Sequence, residues 1–233
     1  MPETAKPNNQ ILAALPKKEY QRLLPDLEEF DLIYTKHIYE DGERISHVYF
    51  PESGIVSLLS SVGEKALLEV GIVGSEGMIG LPVFAGYKAS NNRAVVQGEG
   101  SAMKMSAANF LKECKLGGAL SSLLQRYTYF LLMQISQSAA CNLYHRIEPR
   151  LARWLMMTRD RMHADEFKIT QEFLSHMLGV RREAVSKAAA NLQQQHLISY
   201  SRGNLSILNR AGLEKAACQC YQILKAEAGN YKG

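Results

Sequence analysis

The chain has 233 residues, of which 46% are hydrophobic and 21% are charged, and its formal net charge is +4. This composition is typical of a globular protein and excludes an intrinsically disordered chain. The sequence contains no run of about 18 apolar residues, and residues 1–10 are polar. We therefore expect neither a transmembrane helix nor a secretory signal, and predict a cytoplasmic protein without membrane contacts.

The net charge is distributed unevenly along the chain. Residues 1–145 contain 13 Lys and Arg against 15 Asp and Glu, a net −2, whereas residues 146–233 contain 14 against 8, a net +6. A basic half is typical of proteins that bind a polyanion, although a solvated basic surface gives the same count. The C-terminal half is thus a candidate nucleic-acid-binding region.

The four cysteines, Cys114, Cys141, Cys218 and Cys220, do not form a recognisable metal-binding motif. A Cys-x-Cys pair such as Cys218 and Cys220, without a Cys or His close by in the sequence, is a poor metal site. The six histidines show no ligand spacing. An iron–sulfur cluster needs about four thiolates that converge, so we expect reduced thiols, no metal site and no iron–sulfur cluster.

The first half of the chain predicts an antiparallel β domain. Residues 11–29 have near-helical apolar spacing with a break at Pro16. Between residues 30 and 106, short apolar runs such as Val48–Phe50 and Ile55–Leu59 alternate with turn clusters such as Gly74–Gly77. Strands at such short and regular spacing are typical of an antiparallel barrel or sandwich.

A long helix is predicted next, because residues 106–147 contain almost no Gly or Pro apart from Gly117 and Gly118. Positions spaced by three or four residues form one side of it: Leu120, Leu124, Tyr127, Leu131, Ile135 and Ser138. A helix of about 28 residues would be about 42 Å long, more than a small domain needs. This side either packs on the barrel or forms a dimer seam, and we favour the dimer seam.

Residues 170–193 have the pattern of a helix-turn-helix. This motif needs a small residue where its helices touch, a turn glycine, and apolar residues that lock the second helix onto the first. Ser175 is the small residue, Gly179 lies in the turn, and Thr170 is placed to cap the first helix. The apolar positions are Leu174, Leu178, Val180, Val185 and Ala188. The alternative is an ordinary helical hairpin with a solvated charged face.

The second helix of this motif presents side chains suited to DNA. Arginine can pair bidentately with guanine, and glutamate can accept from the cytosine amino group. Arg182, Glu183 and Lys187 share the face that would enter a major groove. Two short strands around Arg202-Gly203 then predict a wing whose tip could reach a phosphate. The predicted backbone-contacting and positioning residues are Thr170, Arg181, Ser186 and Arg202.

A β barrel, a long helix and a winged helix-turn-helix in this order closely resemble the cyclic-AMP receptor protein/Fnr (Crp/Fnr) family of bacterial transcription regulators. The resemblance covers about residues 11–217, and its most specific stretches are Val180–Lys187 and Leu197–Gly203. In that family the first Arg-Glu of the recognition helix and a basic residue one turn later read bases. These roles fall to Arg182, Glu183 and Lys187, although lysine replaces the usual arginine and lacks its bidentate fork.

The resemblance also implies an architecture. The expected fold is α+β, with an N-terminal antiparallel β-roll of the jelly-roll, cyclic-nucleotide-binding-like type in residues 1–116. The β-roll is followed by a long dimerisation helix over residues 117–147. The C-terminal winged helix-turn-helix domain then occupies residues 148–233.

The predicted effector site departs from the family's usual pattern. Cyclic-nucleotide binders of the family follow an Ile-Gly pair with glutamate and use an Arg-Ser pair on the cyclic phosphate. Here Leu81 follows Ile79-Gly80, and the basic pair is Arg93-Ala94, so cyclic AMP binding by the usual chemistry is not expected. The N-terminal cysteines of the iron–sulfur members are absent, and nothing supports haem. Candidate effector contacts are Arg93, Ser136 and Ser138. The alternative for Arg93 is an ion pair, and the alternative for the two serines is that they make the dimer seam less tightly packed.

We therefore predict a homodimeric, sequence-specific transcription regulator that binds double-stranded DNA and RNA polymerase. Its β-roll would sense an unidentified effector and reposition the recognition helices. The alternative is a constitutive DNA-binding regulator whose barrel is only a dimerisation scaffold. An enzyme would need a nucleophile–base pair or a metal constellation, and because the sequence offers neither, we expect no catalytic activity.

Overall fold

The computed structural model of the protein describes residues 6–62 and 66–231. Its contacts group into two compact units: Met1–Leu58 with Ile72–Leu131, and Leu59–Gly71 with Leu132–Tyr231. The sequence instead suggested divisions after residues 116 and 147. The two units divide the long helix, and the second unit also includes the far end of a pair of strands from the β domain.

Two β-sheets form the framework of the first unit among the described residues. One has the order β1-β7-β3, with β1 at Glu28–Leu32, β3 at His47–Pro51 and β7 at Gly100–Ser106. The other has the order β2-β6-β4-β5, with β2 at His37–Tyr39, β4 at Ile55–Val62, β5 at Ala66–Val73 and β6 at Asn92–Gly98. The pairs β1–β7, β3–β7 and β2–β6 are antiparallel. The predicted antiparallel β domain is confirmed.

The first unit contains the helices α1 (Gln10–Ala13), α2 (Lys17–Leu23) and α3 (Ala107–Lys115), followed by the first part of α4 (Ala119–Tyr144). Two of these helices, α1 and α3, begin at side-chain caps, Asn9 and Ser106. Pro16 is the residue before α2, as its break in the pattern predicted. The carboxylate of Glu19 accepts hydrogen bonds from the backbone amides of Ala119 and Leu120, at 3.1 and 3.3 Å. An anion at this position satisfies free N–H groups and complements the helix dipole.

The long helix α4 buries the side that the sequence suggested as a dimer seam. Leu120, Leu124 and Tyr127 are at most 3% exposed, and the hydroxyl of Tyr127 donates to the carbonyl of Met78 in the same unit. These residues pack within their own chain and are not available to a second copy. At these three positions the structure supports the alternative, packing within the chain, because a three-four repeat identifies an apolar side of a helix without showing what covers it.

A different side of α4 remains open in the single chain. Tyr129, Leu132 and Leu143 are 60%, 58% and 75% exposed. Their spacing places them, together with the exposed Ser136, along one stripe of the helix. We call these four residues the α4 stripe.

The second unit contains the end of α4 and the C-terminal elements. These are α5 (Ile147–Met162), β8 (Glu166–Lys168), α6 (Gln171–Leu178), α7 (Arg182–Gln194), β9 (Ile198–Ser201), β10 (Asn204–Ile207), α8 (Arg210–Ala216) and α9 (Cys220–Tyr231). β10 pairs antiparallel with both β8 and β9. Trp154 on α5 is buried and donates from its indole nitrogen to Glu69 at 2.8 Å. None of the described helices is both long and apolar enough to cross a membrane.

Candidate nucleic-acid interface

The turn between α6 and α7 has the local chemistry of a helix-turn-helix. Thr170 caps α6, because its hydroxyl accepts from the amide of Phe173 at 3.0 Å. Gly179 has a φ of 60°, in the left-handed region that favours glycine. The amide of Val180 then donates to the carbonyl of Ser175 at 3.0 Å and closes the turn. The predicted cap and turn glycine are confirmed, and the predicted small residue, Ser175, is buried.

Apolar residues hold α7 against the rest of the second unit. Val185, Ala188 and Leu192 are at most 5% exposed, and Leu174 of α6 is fully buried. The spacing of three and four residues puts the α7 positions on one side of the helix, so its opposite side faces outward.

The outward side of α7 carries four charged residues near its start. Arg181, Arg182, Glu183 and Lys187 are exposed. None of their side chains forms a hydrogen bond or an ion pair with any residue that the structure describes. We call these four residues the α7 charged face.

Two predicted backbone-contacting hydroxyls are already engaged within the motif. Thr170 caps α6, and the hydroxyl of Ser186 lies 2.6 Å from the side-chain carbonyl of Gln171. The first contact lies within α6, whereas the second joins α7 to the first turn of α6 and so helps to fix the relative placement of the two helices.

The predicted wing is a hairpin formed by β9 and β10. Its two-residue turn consists of Arg202 and Gly203, with φ values of 51° and 82°, and positive φ at both positions is typical of a tight hairpin turn. The side chain of Arg202 is exposed. The amide of Tyr200 donates to Gln193 at 2.7 Å, which ties the wing to the last turn of α7.

Two of the candidate effector residues lie on opposite sides of α4. Ser136 is exposed, whereas Ser138 is buried, with its hydroxyl 3.5 Å from Nη1 of Arg153. Two positions along an α-helix differ by about 200°, so the structure does not bring these serines together.

The third candidate, Arg93 on β6, is paired with Glu40, the residue that follows β2. Its Nε lies 2.6 Å from Oε2 of Glu40, whose other carboxylate oxygen contacts the ring of His37. The pKa of Glu40 is lowered, first by the hydrogen bond from His37 and further by Arg93. Arg93 therefore has the ion-paired environment that was the alternative to ligand contact.

Comparisons with known proteins agree with this geometry. Residues 149–216 match the family model described as a Crp-like helix-turn-helix domain. The chain contains a Crp-like helix-turn-helix domain. No curated protein matches its sequence.

Solved structures show that the likeness extends beyond the Crp-like domain. FixK2 from Bradyrhizobium japonicum has a TM-score of 0.69 at 17% identity, covering 82% of this chain and 98% of its own. A putative Crp/Fnr regulator from Eubacterium rectale has a TM-score of 0.68 at 16% identity, with coverage of 87% and 94%. CLP from Xanthomonas campestris has a TM-score of 0.64 at 16% identity, with coverage of 82% and 99%. The fold is that of Crp/Fnr transcription regulators, and the predicted resemblance is confirmed.

A group of residues that spacing did not reveal lies beside the Crp-like domain. The ligand atoms of Cys141, His145, Cys218 and Cys220 all lie within 4.8 Å of one another. Cys141 and Cys218 are 77 positions apart, so only the fold brings them together. A search for clustered cysteines along the sequence could not have found this group, which we call the Cys/His cluster.

Proposed function

We propose that the protein is a homodimeric, sequence-specific DNA-binding transcription regulator of the cytoplasm, whose β domain responds to an effector. The observation that carries this proposal is the α7 charged face. Four charged side chains without partners among the residues that the structure describes surround the start of the second helix of a Crp-like domain. Such a helix places its N-terminal residues against base edges in the major groove.

The side chains on this face divide into two roles. We assign base contacts to Arg182, Glu183 and Lys187. Arginine can form a bidentate pair of hydrogen bonds with guanine, and glutamate can accept a hydrogen bond from the cytosine amino group. Lysine is a single point charge and supports a less selective contact. We assign phosphate contacts to Arg181 and Arg202, which are exposed near the helix start and at the wing tip.

Two hydroxyls would support these contacts from within the motif. Thr170 and Ser186 hold α6 and α7 in place through the bonds to Phe173 and Gln171. We therefore assign both of them positioning roles. The hydroxyl of Ser186 already donates to Gln171, so a phosphate contact would compete with that bond, whereas Thr170 accepts from Phe173 and caps α6.

The α4 stripe supports a dimer formed through the long helix. Tyr129, Leu132 and Leu143 expose apolar surface that a second copy of the same helix would cover. A two-fold dimer would present two α7 helices to successive major grooves about 34 Å apart. RNA polymerase is the further partner that we propose for the DNA-bound dimer.

The fold does not specify one effector. CLP, named as c-di-GMP responsive, and a protein from Silicibacter pomeroyi, named as a putative cAMP-binding regulatory protein, both share it. The ion pair between Arg93 and Glu40 favours the alternative of a constitutive regulator, because it occupies the candidate anion contact. Thermal-shift measurements with both nucleotides separate the two, since an effector that binds the folded state raises the melting temperature.

The test of DNA recognition compares one base-reading arginine with one phosphate-contacting arginine. A binding site is first selected from random duplexes with the unaltered protein. Binding to the selected and to a scrambled duplex is then titrated by fluorescence anisotropy for Arg182→Ala and Arg202→Ala. We expect Arg182→Ala to weaken the selected duplex by at least about tenfold and the scrambled one little, because a bidentate base contact contributes about 1–3 kcal/mol.

Arg202→Ala should weaken binding to both duplexes alike. It should also reduce the slope of log affinity against log salt concentration by about one per subunit. The control is Lys18→Ala, which removes one exposed positive charge from α2 and should change neither titration. Equal loss on both duplexes for Arg182→Ala would contradict its base-reading role. Failure of the unaltered protein to prefer any duplex would contradict the proposed function.

A further inference from the structure

The Cys/His cluster has the ligand types of a structural zinc site. Cys141 lies in the last turns of α4, and His145 follows four positions later, with its amide still bonded to the carbonyl of Cys141 at 3.1 Å. Residues four apart on a helix lie on the same side. Cys220 is the first residue of α9, and Cys218 precedes it by two positions.

Two of the separations within the cluster are close to those that a tetrahedral ion requires, and all of them lie within 4.8 Å. The sulfur atoms of Cys141 and Cys218 are 3.4 Å apart, and Nδ1 of His145 lies 3.5 Å from the sulfur of Cys220. Zinc bonds of about 2.3 Å to sulfur and about 2.0–2.1 Å to nitrogen give tetrahedral edges of about 3.8 Å and about 3.6 Å. Both separations agree with these edges within a few tenths of an ångström.

The surroundings also suit an anionic metal–thiolate group. Two buried arginines of α5, Arg150 and Arg153, interact electrostatically with Cys141. Neither forms an ion pair with a carboxylate of any residue that the structure describes. Three thiolates and one Zn²⁺ carry a net charge of −1, so the loaded site would supply the negative charge that these guanidinium groups lack.

A neighbouring amide provides further support for one ligand. The side-chain nitrogen of Gln137 lies 3.1 Å from the sulfur of Cys220. Hydrogen bonds of this kind to ligand atoms orient them and tune the metal.

We propose that Cys141, His145, Cys218 and Cys220 bind one Zn²⁺ ion in a closed tetrahedral site. Four protein ligands leave no open position for a substrate, so the role is structural. The amide of Cys218 also donates to the carbonyl of Pro149 at 3.3 Å. The ion would therefore join the end of α4 to the start of α9 and, through Cys218, to the start of α5. In the sequence, two of its ligands precede the Crp-like domain and two follow it.

Metal content and cobalt spectroscopy test this proposal. The full chain is purified under reducing conditions without chelator, and zinc is measured by mass spectrometry. We expect one zinc per chain. Replacement of zinc by Co²⁺ should produce a thiolate-to-cobalt charge-transfer band in the near ultraviolet and the intense visible bands of tetrahedral cobalt.

Two ligand variants and one cysteine control sharpen the test. His145→Ala and Cys220→Ser should each weaken metal affinity by more than about 100-fold, since even outer-shell substitutions cost about 10- to 100-fold. His145 is only half-buried, so its variant should fold, which circular dichroism would verify. Cys114→Ser removes a cysteine of α3 outside the cluster and should retain one zinc with an unchanged cobalt spectrum.

Three results would overturn the proposal. The first is a reduced, folded protein that binds neither zinc nor cobalt, and the second is a cobalt spectrum unchanged by Cys220→Ser. The third is a disulfide between Cys141 and Cys218 in freshly isolated protein, detected by alkylation before reduction, with no metal present. These measurements use no DNA, so they are independent of the proposed regulatory function.

Discussion

Two pairs of arginines in the second unit have opposite environments. Arg181 and Arg182 at the start of α7 are exposed and have no partner among the described residues. Arg150 and Arg153 on α5 are only 5% and 6% exposed. An exposed guanidinium keeps its hydration and is available to a phosphate or a base, whereas a buried one must be compensated from within the protein.

The buried pair is connected to the placement of the exposed pair. Arg150 donates to the carbonyl of Leu178, the last residue of α6, and to Asn142 at 2.8 Å. Gly179 and the turn into α7 follow directly. The buried arginine thus fixes the end of the helix that precedes the α7 charged face, so one residue type is part of the scaffold at one place and is exposed, where we propose a DNA contact, at the other.

The largest effect on stability should come from the buried arginines. Arg150→Ala would leave the carbonyl of Leu178 and the side chain of Asn142 without a donor, and it would open a cavity. We expect a loss of about 3 kcal/mol in the free energy of unfolding. Arg182→Ala should change that free energy by less than about 0.5 kcal/mol.

Urea denaturation followed by the fluorescence of Trp154, the single tryptophan, measures both variants. Arg150→Lys is the matched control, because it keeps the positive charge but lacks the planar guanidinium group with its several donors. Its loss in the free energy of unfolding should lie between those of Arg150→Ala and Arg182→Ala. Similar losses for Arg150→Ala and Arg182→Ala would remove the contrast between the two pairs.

A buried carboxyl group, that of Glu69, should have a smaller effect on stability than the buried arginines. Glu69 is 8% exposed and accepts from the indole of Trp154 at 2.8 Å. Trp154→Phe removes that donor while keeping an aromatic ring, and should cost about 1–2 kcal/mol. Circular dichroism in urea measures it, since the fluorophore is lost. Glu69→Gln keeps an acceptor and should be less costly than Glu69→Ala; the reverse order would show that the acceptor at position 69 does not stabilise the fold.

The helix-turn-helix could be predicted because its determinants are local. Thr170, Ser175 and Gly179 act on residues within five positions of themselves. A local pattern therefore contains nearly all of the information that builds the motif, and the exposed charges of α7 follow from the buried positions between them.

Features that depend on distant contacts could not be predicted in this way. The covered side of α4 depends on Tyr127 meeting Gly77, where a β-carbon would lie 2.3 Å from the tyrosine ring. The Cys/His cluster depends on α9 returning to the end of α4, and Cys141 and Cys218 are 77 positions apart. Composition and periodicity describe one segment at a time, so they do not record which segments meet.

The smallest expected effect is a change in the pKa of Glu40. This carboxylate is partly exposed, like the arginines of α7, but it has partners within the protein, like the arginines of α5. The pKa of Glu40 is lowered mainly by the hydrogen bond from His37, with Arg93 contributing less. His37→Ala should therefore raise that pKa more than Arg93→Ala does. Because the folded-state pKa is depressed, any stabilisation is present above the unfolded-state pKa and is lost as the pH falls through the folded-state value. Carbon-13 NMR titration of the Glu40 carboxyl measures both shifts, and a larger change with Arg93→Ala would identify Arg93 as its main partner.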